Sequence, residues 1–338
     1  MELKSFIIDD LNILVIINFI FIFFVYYYRF KISNFLGILD KPNKLYTQKI
    51  HKKTIPLIGG VLFFILIINF LILEKIFYNL SNYKFSIYLI SYFLFFILGF
   101  LDDRKPISPS ARSIILIGFL LIFLPLEQSL ILTNLKFISF DIQINLKSAS
   151  IFFTVFCIFV FFNALNFSDG INGAALSICI LINFYILLVT KNIFDFYVTL
   201  ALIIILFANL KEFLFLGNSG TCLLSIYLSL KLIDTYNSST NLYCDQIFLL
   251  LIFPGIDLIR TIFMRLINNK KIYMADKTHF HHYLLERFNP NQSWIFFTLL
   301  SILPISIFAV YQNFVFAFTL FLIIYSIILI KLLKKNKR

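Results

Sequence analysis

The chain has 338 residues, 60% of them hydrophobic and 14% charged, with a mean hydropathy of +0.93 and a formal net charge of +12. Soluble domains run near ~45–50% apolar and ~25% charged, so this composition excludes a water-soluble globular enzyme and points to an all-α polytopic integral membrane protein. Membrane topology accounts for the basic excess, as shown below, and no nucleic-acid partner is called for.

A helix crossing the hydrocarbon core needs about 20 mostly apolar residues. In chain order, candidates fall at 11–28, 57–73, 85–101, 113–126, 149–165, 173–190, 196–210, 214–230, 247–264, 294–310 and 314–330, about eleven transmembrane helices in one membrane-embedded domain, 1–338. The first run is read as a retained span and not a signal peptide, because Asp9 and Asp10 precede it and no small-residue cleavage site follows. Between the fourth and fifth candidates the pattern changes. Phe140, Ile142, Ile144 and Leu146 alternate with Asp141, Gln143, Asn145 and Lys147, which predicts a short strand in a β-hairpin with residues 132–138, on the outer face. Cys157, Cys179 and Cys222 lie in apolar segments, Cys244 lies near a loop, and no metal-type spacing joins them, so they read as small core hydrophobes.

An odd number of spans puts the termini on opposite sides, and the basic residues choose which. With the N-terminus out and the C-terminus in, 22 of the 29 Lys and Arg lie on the inner side, in accord with the positive-inside rule. Loops 29–56, 102–112, 163–173, 211–221 and 265–293 then face the cytoplasm.

The chemistry-capable side chains collect in those same loops. Asp102 and Asp103 sit where an apolar helix meets the cytosol; they are either a solvated helix end paired with Arg104 or Arg112, or a pair that handles Mg2+ or phosphate, since hard oxygen donors suit Mg2+. The run Asn163-Ala-Leu-Asn166-Phe-Ser-Asp169-Gly-Ile-Asn172-Gly173 carries more polar residues than a plain interhelical turn requires. Its oxygens can ligate a metal, and its glycines let a phosphate approach the backbone. His279, His281 and His282 crowd four positions of the longest inner loop; contacts to a diphosphate suit them better than structural zinc, because no Cys lies nearby. Lys49 and His51 belong to a basic loop that leads to Pro56 and Gly59-Gly60, a sign of a broken or closely packed helix start beside a ligand.

From about Asp40 to Arg287 these four motifs and the run Phe215-Leu-Gly217-Asn218-Ser-Gly220-Thr221, taken in chain order, resemble the polyprenyl-phosphate N-acetylhexosamine-1-phosphate transferases, the superfamily of MraY, WecA and TagO. The loop Asp276-x-x-His279-x-His281-His282 is more similar to the WecA and TagO branch. The resemblance implies a bacterial inner-membrane enzyme with a cytoplasmic active site. It would move a sugar-1-phosphate from a UDP-N-acetylhexosamine donor to undecaprenyl or another polyprenyl phosphate acceptor, releasing UMP and starting cell-envelope glycan synthesis. It further implies Mg2+, with Mn2+ as a substitute, and allows a homodimer.

Carried over residue by residue, Asp102, Asp103 and Asp169 match catalytic acids, with Asp169 the candidate for a covalent phosphoryl intermediate. Asn166 and Asn218 match metal-site positions. Lys49, His51, Asn163, Asn172, Arg265, His279, His281 and His282 match substrate-binding positions. Where the family usually has Gly-Asp-x-Gly-Ser, this chain has Gly217-Asn218-Ser-Gly220-Thr221. An Asn carbonyl still coordinates a hard cation but adds no charge, so weaker Mg2+ binding is expected. Two other readings compete with the transferase. One is a degenerate, non-catalytic homologue, motivated by Asn218. The other is a transporter or flippase, which requires ionisable residues within the bilayer; Asp257 and Arg260 are the candidates for that role.

Overall fold

The computed structural model describes residues 16–41, 53–270 and 278–334. By Cα proximity the chain forms two compact units, one from residues 1–107 and 191–227, the other from 108–190 and 228–338.

The first unit opens with helix α1, Ile16–Tyr27, which bends by 72° into α2, Arg29–Leu36. Gly37 ends α2 in the left-handed region at φ 71°, where its N–H and that of Ile38 return to the Asn34 and Ser33 carbonyls, a glycine C-cap. A short antiparallel ladder of β1, Leu39–Asp40, and β2, Ile55–Pro56, closes the base of the following loop. Helix α3, Gly59–Phe77, packs on α4, Asn82–Arg104, and on α8, Ile193–Leu210. Stacked Phe64 and Phe96, with ring centroids 4.2 Å apart, join α3 to α4.

The second unit begins with α5, Pro109–Phe123, whose Ser108 N-cap accepts the Ala111 N–H at 3.3 Å. Strands β3, Asn134–Phe137, and β4, Ile142–Asn145, follow as an antiparallel hairpin, close to the position the alternating pattern predicts. Helices α6, Ser150–Ser168, and α7, Ala174–Thr190, flank the turn at 169–173. Helix α9, Gly217–Ser238, starts in the first unit and ends in the second. It is followed by α10, Cys244–Ile267, short α11, Phe280–Leu285, α12, Pro290–Tyr311, and α13, Phe314–Leu333. Buried Phe253 on α10 gathers Phe280, Phe297, Phe321 and Tyr325, with centroids 4.7 to 6.4 Å away, and so pins α11, α12 and α13 to one point.

Among the described residues, eight helices are long and apolar enough to cross a membrane, and the bent α1–α2 pair would be a ninth. Helix α7 is apolar but has only 17 residues. Helix α9 is long enough but carries Lys231, Asp234 and several Ser and Thr, so it owes its burial to neighbouring protein and not to lipid. The chain is thus an α-helical, multi-pass membrane protein.

Helix packing in the first unit depends on missing side chains. A Cβ added at Gly60 would lie 2.4 Å from the Gly220 nitrogen, and one at Gly99 would lie 2.2 Å from the Asn218 carbonyl oxygen, whereas one at Gly118 in α5 meets nothing within 4 Å. Gly60→Ala and Gly99→Ala should each cost about 1–3 kcal/mol or more through forced backbone shifts. Gly118→Ala should be neutral or stabilise by up to about 1 kcal/mol. Thermal unfolding of the three variants in detergent checks this ordering.

Candidate active site

In the first unit the last turn of α4 meets the first turn of α9. Asp103 accepts the Asn218 N–H through Oδ1 at 2.7 Å and the Ser219 N–H through Oδ2 at 2.9 Å. Its carboxylate thereby satisfies two of the amides that a helix start leaves without intrahelical partners, and it meets the positive end of the helix dipole. Gly217, at φ 72°, provides the left-handed entry, and a Cβ there would stand 2.7 Å from Asp103 Oδ2. From the other side the Gly59 and Gly60 N–H groups bond the Phe215 and Leu216 carbonyls, both at 3.0 Å. The Pro56-to-Gly60 stretch is therefore the close-packed helix start that its sequence suggested. Buried Asp102 accepts the Ile107 N–H at 2.6 Å, which shapes the exit of α4. Asn218 spends its backbone, not its side chain, on these bonds; its carbonyl also accepts from Thr221 Oγ1 at 3.3 Å. Lys49 and His51 lie outside the described residues.

In the second unit the C-terminal turns of α6 carry Asn163, Asn166 and Asp169 at helical spacing. Asn163 donates to the Phe159 carbonyl at 2.8 Å, and Asn166 Oδ1 faces the Arg112 guanidinium at 3.4 Å. Asp169 stands at the C-cap, and Asn172 is half-buried in the turn that follows. Against this turn lies His281. A Cβ at Gly170 would fall 2.0 Å from its Nε2, so glycine is what admits the imidazole.

The histidine loop is fastened to α10 by Asp257, which the sequence offered as a transport candidate but placed better at an edge of the cytoplasmic site. Asp257 Oδ1 accepts the Phe280 N–H at 3.0 Å, and Oδ2 lies 3.4 Å from His279 Nδ1. Arg260 bonds Asp257 Oδ1 at 2.6 Å, the Thr278 carbonyl at 2.5 Å and Tyr325 Oη at 3.1 Å, and its guanidinium lies over the Tyr283 ring. Arg265, buried, reaches His279 Nε2 at 3.3 Å and lies 5.5 Å over Phe167. A guanidinium can only donate, so Nε2 accepts and the His279 proton sits on Nδ1, directed at Asp257 and Thr261. His279 and His281 are parallel at 5.5 Å, and His282 lies 4.2 Å from His281. Burial, followed by the neighbouring His282, pushes His281 down to about 3. Among the described residues its buried Nδ1 has no hydrogen-bond partner. The sequence signal for Asp257 was an Asp-x-x-Arg pair within an apolar run, where lone charges are costly.

Among the described residues no three His, Cys, Asp or Glu side chains gather around a common metal position. The donors on offer are oxygens: Asp102, Asp103 and Asn218 in the first unit, Asn166 and Asp169 in the second. Oxygen donors of this kind, in either unit, suit Mg2+, which takes one or two carboxylates together with substrate phosphates and keeps several waters.

Two outcomes follow. Asp103→Asn turns an NH2 toward one helix amide, and leaving a buried donor unmatched should lower stability by about 1–3 kcal/mol, read from detergent melts. For His281, the unfolded chain takes up a proton near the ordinary pKa of 6.5, while the folded chain resists until about 3. Its stabilising contribution is therefore complete above about pH 6.5 and lost as pH falls toward 3. In melts between pH 8 and pH 4.5, His281→Gln should flatten that acid slope.

Residues 85–236 match the family described as Glycosyl transferase family 4. The chain is 26% identical over 310 residues to the undecaprenyl-phosphate alpha-N-acetylglucosaminyl 1-phosphate transferase of Escherichia coli K12, covering 86% of this chain and 82% of the relative. It is 28% identical over 284 residues to the protein of the same name from Pasteurella multocida, covering 80% and 77%. With a probable undecaprenyl-phosphate N-acetylglucosaminyl 1-phosphate transferase of Bacillus subtilis it shares 24% identity over 259 residues, covering 74% and 70%. The alignments with the Escherichia coli and Pasteurella multocida proteins, covering 86% and 80% of the chain, are longer than the segment matched by the family model, over which the chain is similar to glycosyl transferase family 4.

Proposed function

We propose that this chain transfers N-acetylhexosamine 1-phosphate from a UDP-sugar to undecaprenyl phosphate or a related polyprenyl phosphate, releasing UMP, and so begins a lipid-linked cell-envelope glycan. The relatives' names support the reaction. The observation in the structure that carries it is the histidine loop: a buried arginine, a fixed His279 and a His281 nitrogen without a partner among the described residues, assembled on a membrane-embedded helix. An anionic diphosphate is the ligand such a cluster suits.

The acceptor phosphate is a monoester with its second pKa near ~6, so its oxygen is already largely ionised at neutral pH and needs no strong base. It attacks the β-phosphorus of the donor in line. The bond from that phosphorus to the α–β bridging oxygen breaks, and UMP leaves with the bridging oxygen. Arg265, His279, His281 and His282 are assigned to the donor diphosphate, where preorganised donors stabilise the charge that builds on the leaving group. Lys49, His51, Asn163 and Asn172 are assigned to further substrate contacts. Asp102 is assigned to orienting the acceptor. Asp103 holds the start of α9 in register, and Asp169 is the nucleophile if a phospho-enzyme forms. Asn166 in one unit and Asn218 in the other are the positions assigned to Mg2+, which would supply charge neutralisation to the diphosphate.

We further read eleven spans in the bacterial inner membrane, with the N-terminus out and the motif loops cytoplasmic. The positive-inside distribution supports this orientation.

The test is UMP release from UDP-N-acetylglucosamine and other UDP-N-acetylhexosamines by purified protein with undecaprenyl phosphate, across a Mg2+ titration and alongside Asn218→Asp. Lipid- and Mg2+-dependent release is expected, with half-maximal activity at lower Mg2+ in the variant. Release by neither protein would favour the non-catalytic or transport readings.

A further inference from the structure

The transfer reaction uses nothing between Glu127 and Lys147, yet this segment is fastened at several points. Tyr236 Oη accepts the Lys136 N–H at 2.7 Å and donates to the Asn134 carbonyl at 2.9 Å, occupying the edge of β3 that β4 leaves open. Asn237 donates to the Ser129 and Ile131 carbonyls at 2.7 and 3.0 Å, and Asp245 Oδ2 accepts the Ser139 N–H at 2.9 Å. Every one of these bonds holds backbone and leaves the hairpin's side chains free to face outward.

Those side chains are segregated. The ladder pairs Leu135 with Ile144 and Phe137 with Ile142 on one face, and Lys136 with Gln143 and Asn134 with Asn145 on the other. Ile138, Phe140, Ile142 and Ile144 stay 51%, 47%, 51% and 46% exposed. The apolar strip is continuous with a span: Phe140 meets Phe314 at the start of α13 edge-on at 6.0 Å, and Phe314 passes on to Phe318 in the same helix and to Phe248 on α10; few residues of α13 are buried by protein. The hairpin also joins the span Pro109–Leu126, which extends α5, to α6, both apolar and long enough to cross the bilayer, so it lies where spans end, at the boundary of water and lipid.

We propose that the β3–β4 hairpin is a membrane-interface anchor whose Phe140, Ile142 and Ile144 strip is seated among phospholipid headgroups and upper acyl chains, with Lys136, Gln143 and Asn145 turned to water. An amphipathic element at this depth gains by moving apolar area from water to acyl carbon. The fastening by Tyr236, Asn237 and Asp245 holds the strip at a fixed height relative to the helices of its unit. The proposal is independent of the transfer reaction.

The full chain in phospholipid nanodiscs tests it, with photoreactive p-benzoylphenylalanine placed singly at 142, 143, 144 and 145. Irradiation should give several-fold more chain-plus-phospholipid mass adduct from 142 and 144 than from 143 and 145. Equal, low yields at all four positions would mean that the strip faces water. Dominant chain-to-chain crosslinks at 142 and 144 would mean that a second copy covers it. Either result overturns the proposal. Because the probe is bulky, Ile142→Trp on a Trp294→Phe background, which removes the chain's single native tryptophan, gives a second readout. Its emission should be quenched several-fold more by bromine-labelled lipid than by iodide in water, and the reverse order refutes the anchor.

Discussion

Both oxygens of Asp103 are taken by the Asn218 and Ser219 amides in the first turn of α9, and the glycines at 60, 99 and 217 let the helix start come close enough for those bonds to form. Within the first unit this contact sets the ends of three helices at once. The C-terminus of α4 supplies the carboxylate, the N-terminus of α9 supplies the amides, and the start of α3 is tied to residues 215 and 216 by its own backbone. An acid that satisfies helix amides is constrained in a way that a solvated acid is not. In the pair at 102 and 103, it is the second residue whose two oxygens both go to the helix start, while the first turns to the Ile107 N–H.

The bilayer explains why the polar chemistry is so concentrated. Spanning helices must satisfy their backbone internally and face lipid with apolar side chains, which leaves polar residues only at helix ends and in protein-lined interiors. That is why apolar run lengths sufficed to place the helices, and why the period-2 stretch near residue 142 stood out as the hairpin. It is also why motif loops could be recognised as groups. Within a run, however, hydropathy counts length and not partners. Helix α9 has a span's length, but Lys231 and Asp234 give it a composition that only its packed surroundings explain.

What the sequence could not supply were contacts between segments far apart in the chain. Nothing in the local pattern says that Asp257 carries both His279 and the start of α11, 22 and 23 residues later, or that Arg260 links the same loop to Tyr325 on α13. The Asp-x-x-Arg spacing marked the pair as costly in lipid without naming its partner. Likewise Gly170 reads as a glycine that lets a phosphate approach, until His281 is seen against it. In each case the residue type was legible, and the reason for it lay in another helix.

The fastening of the hairpin also bears on how the protein is made. Lys136 waits for Tyr236, 100 residues downstream, and Ser139 waits for Asp245, 106 residues downstream. At synthesis rates of roughly 5–20 residues per second, that delay is on the order of 5–20 s. An isolated two-stranded hairpin is marginal in water, so during this interval its own short ladder is not enough to hold it. The ribosome therefore delivers strand and clamp in separate instalments, and the outward edge of β3 is open to off-pathway pairing until α9 has been inserted and its tyrosine has arrived.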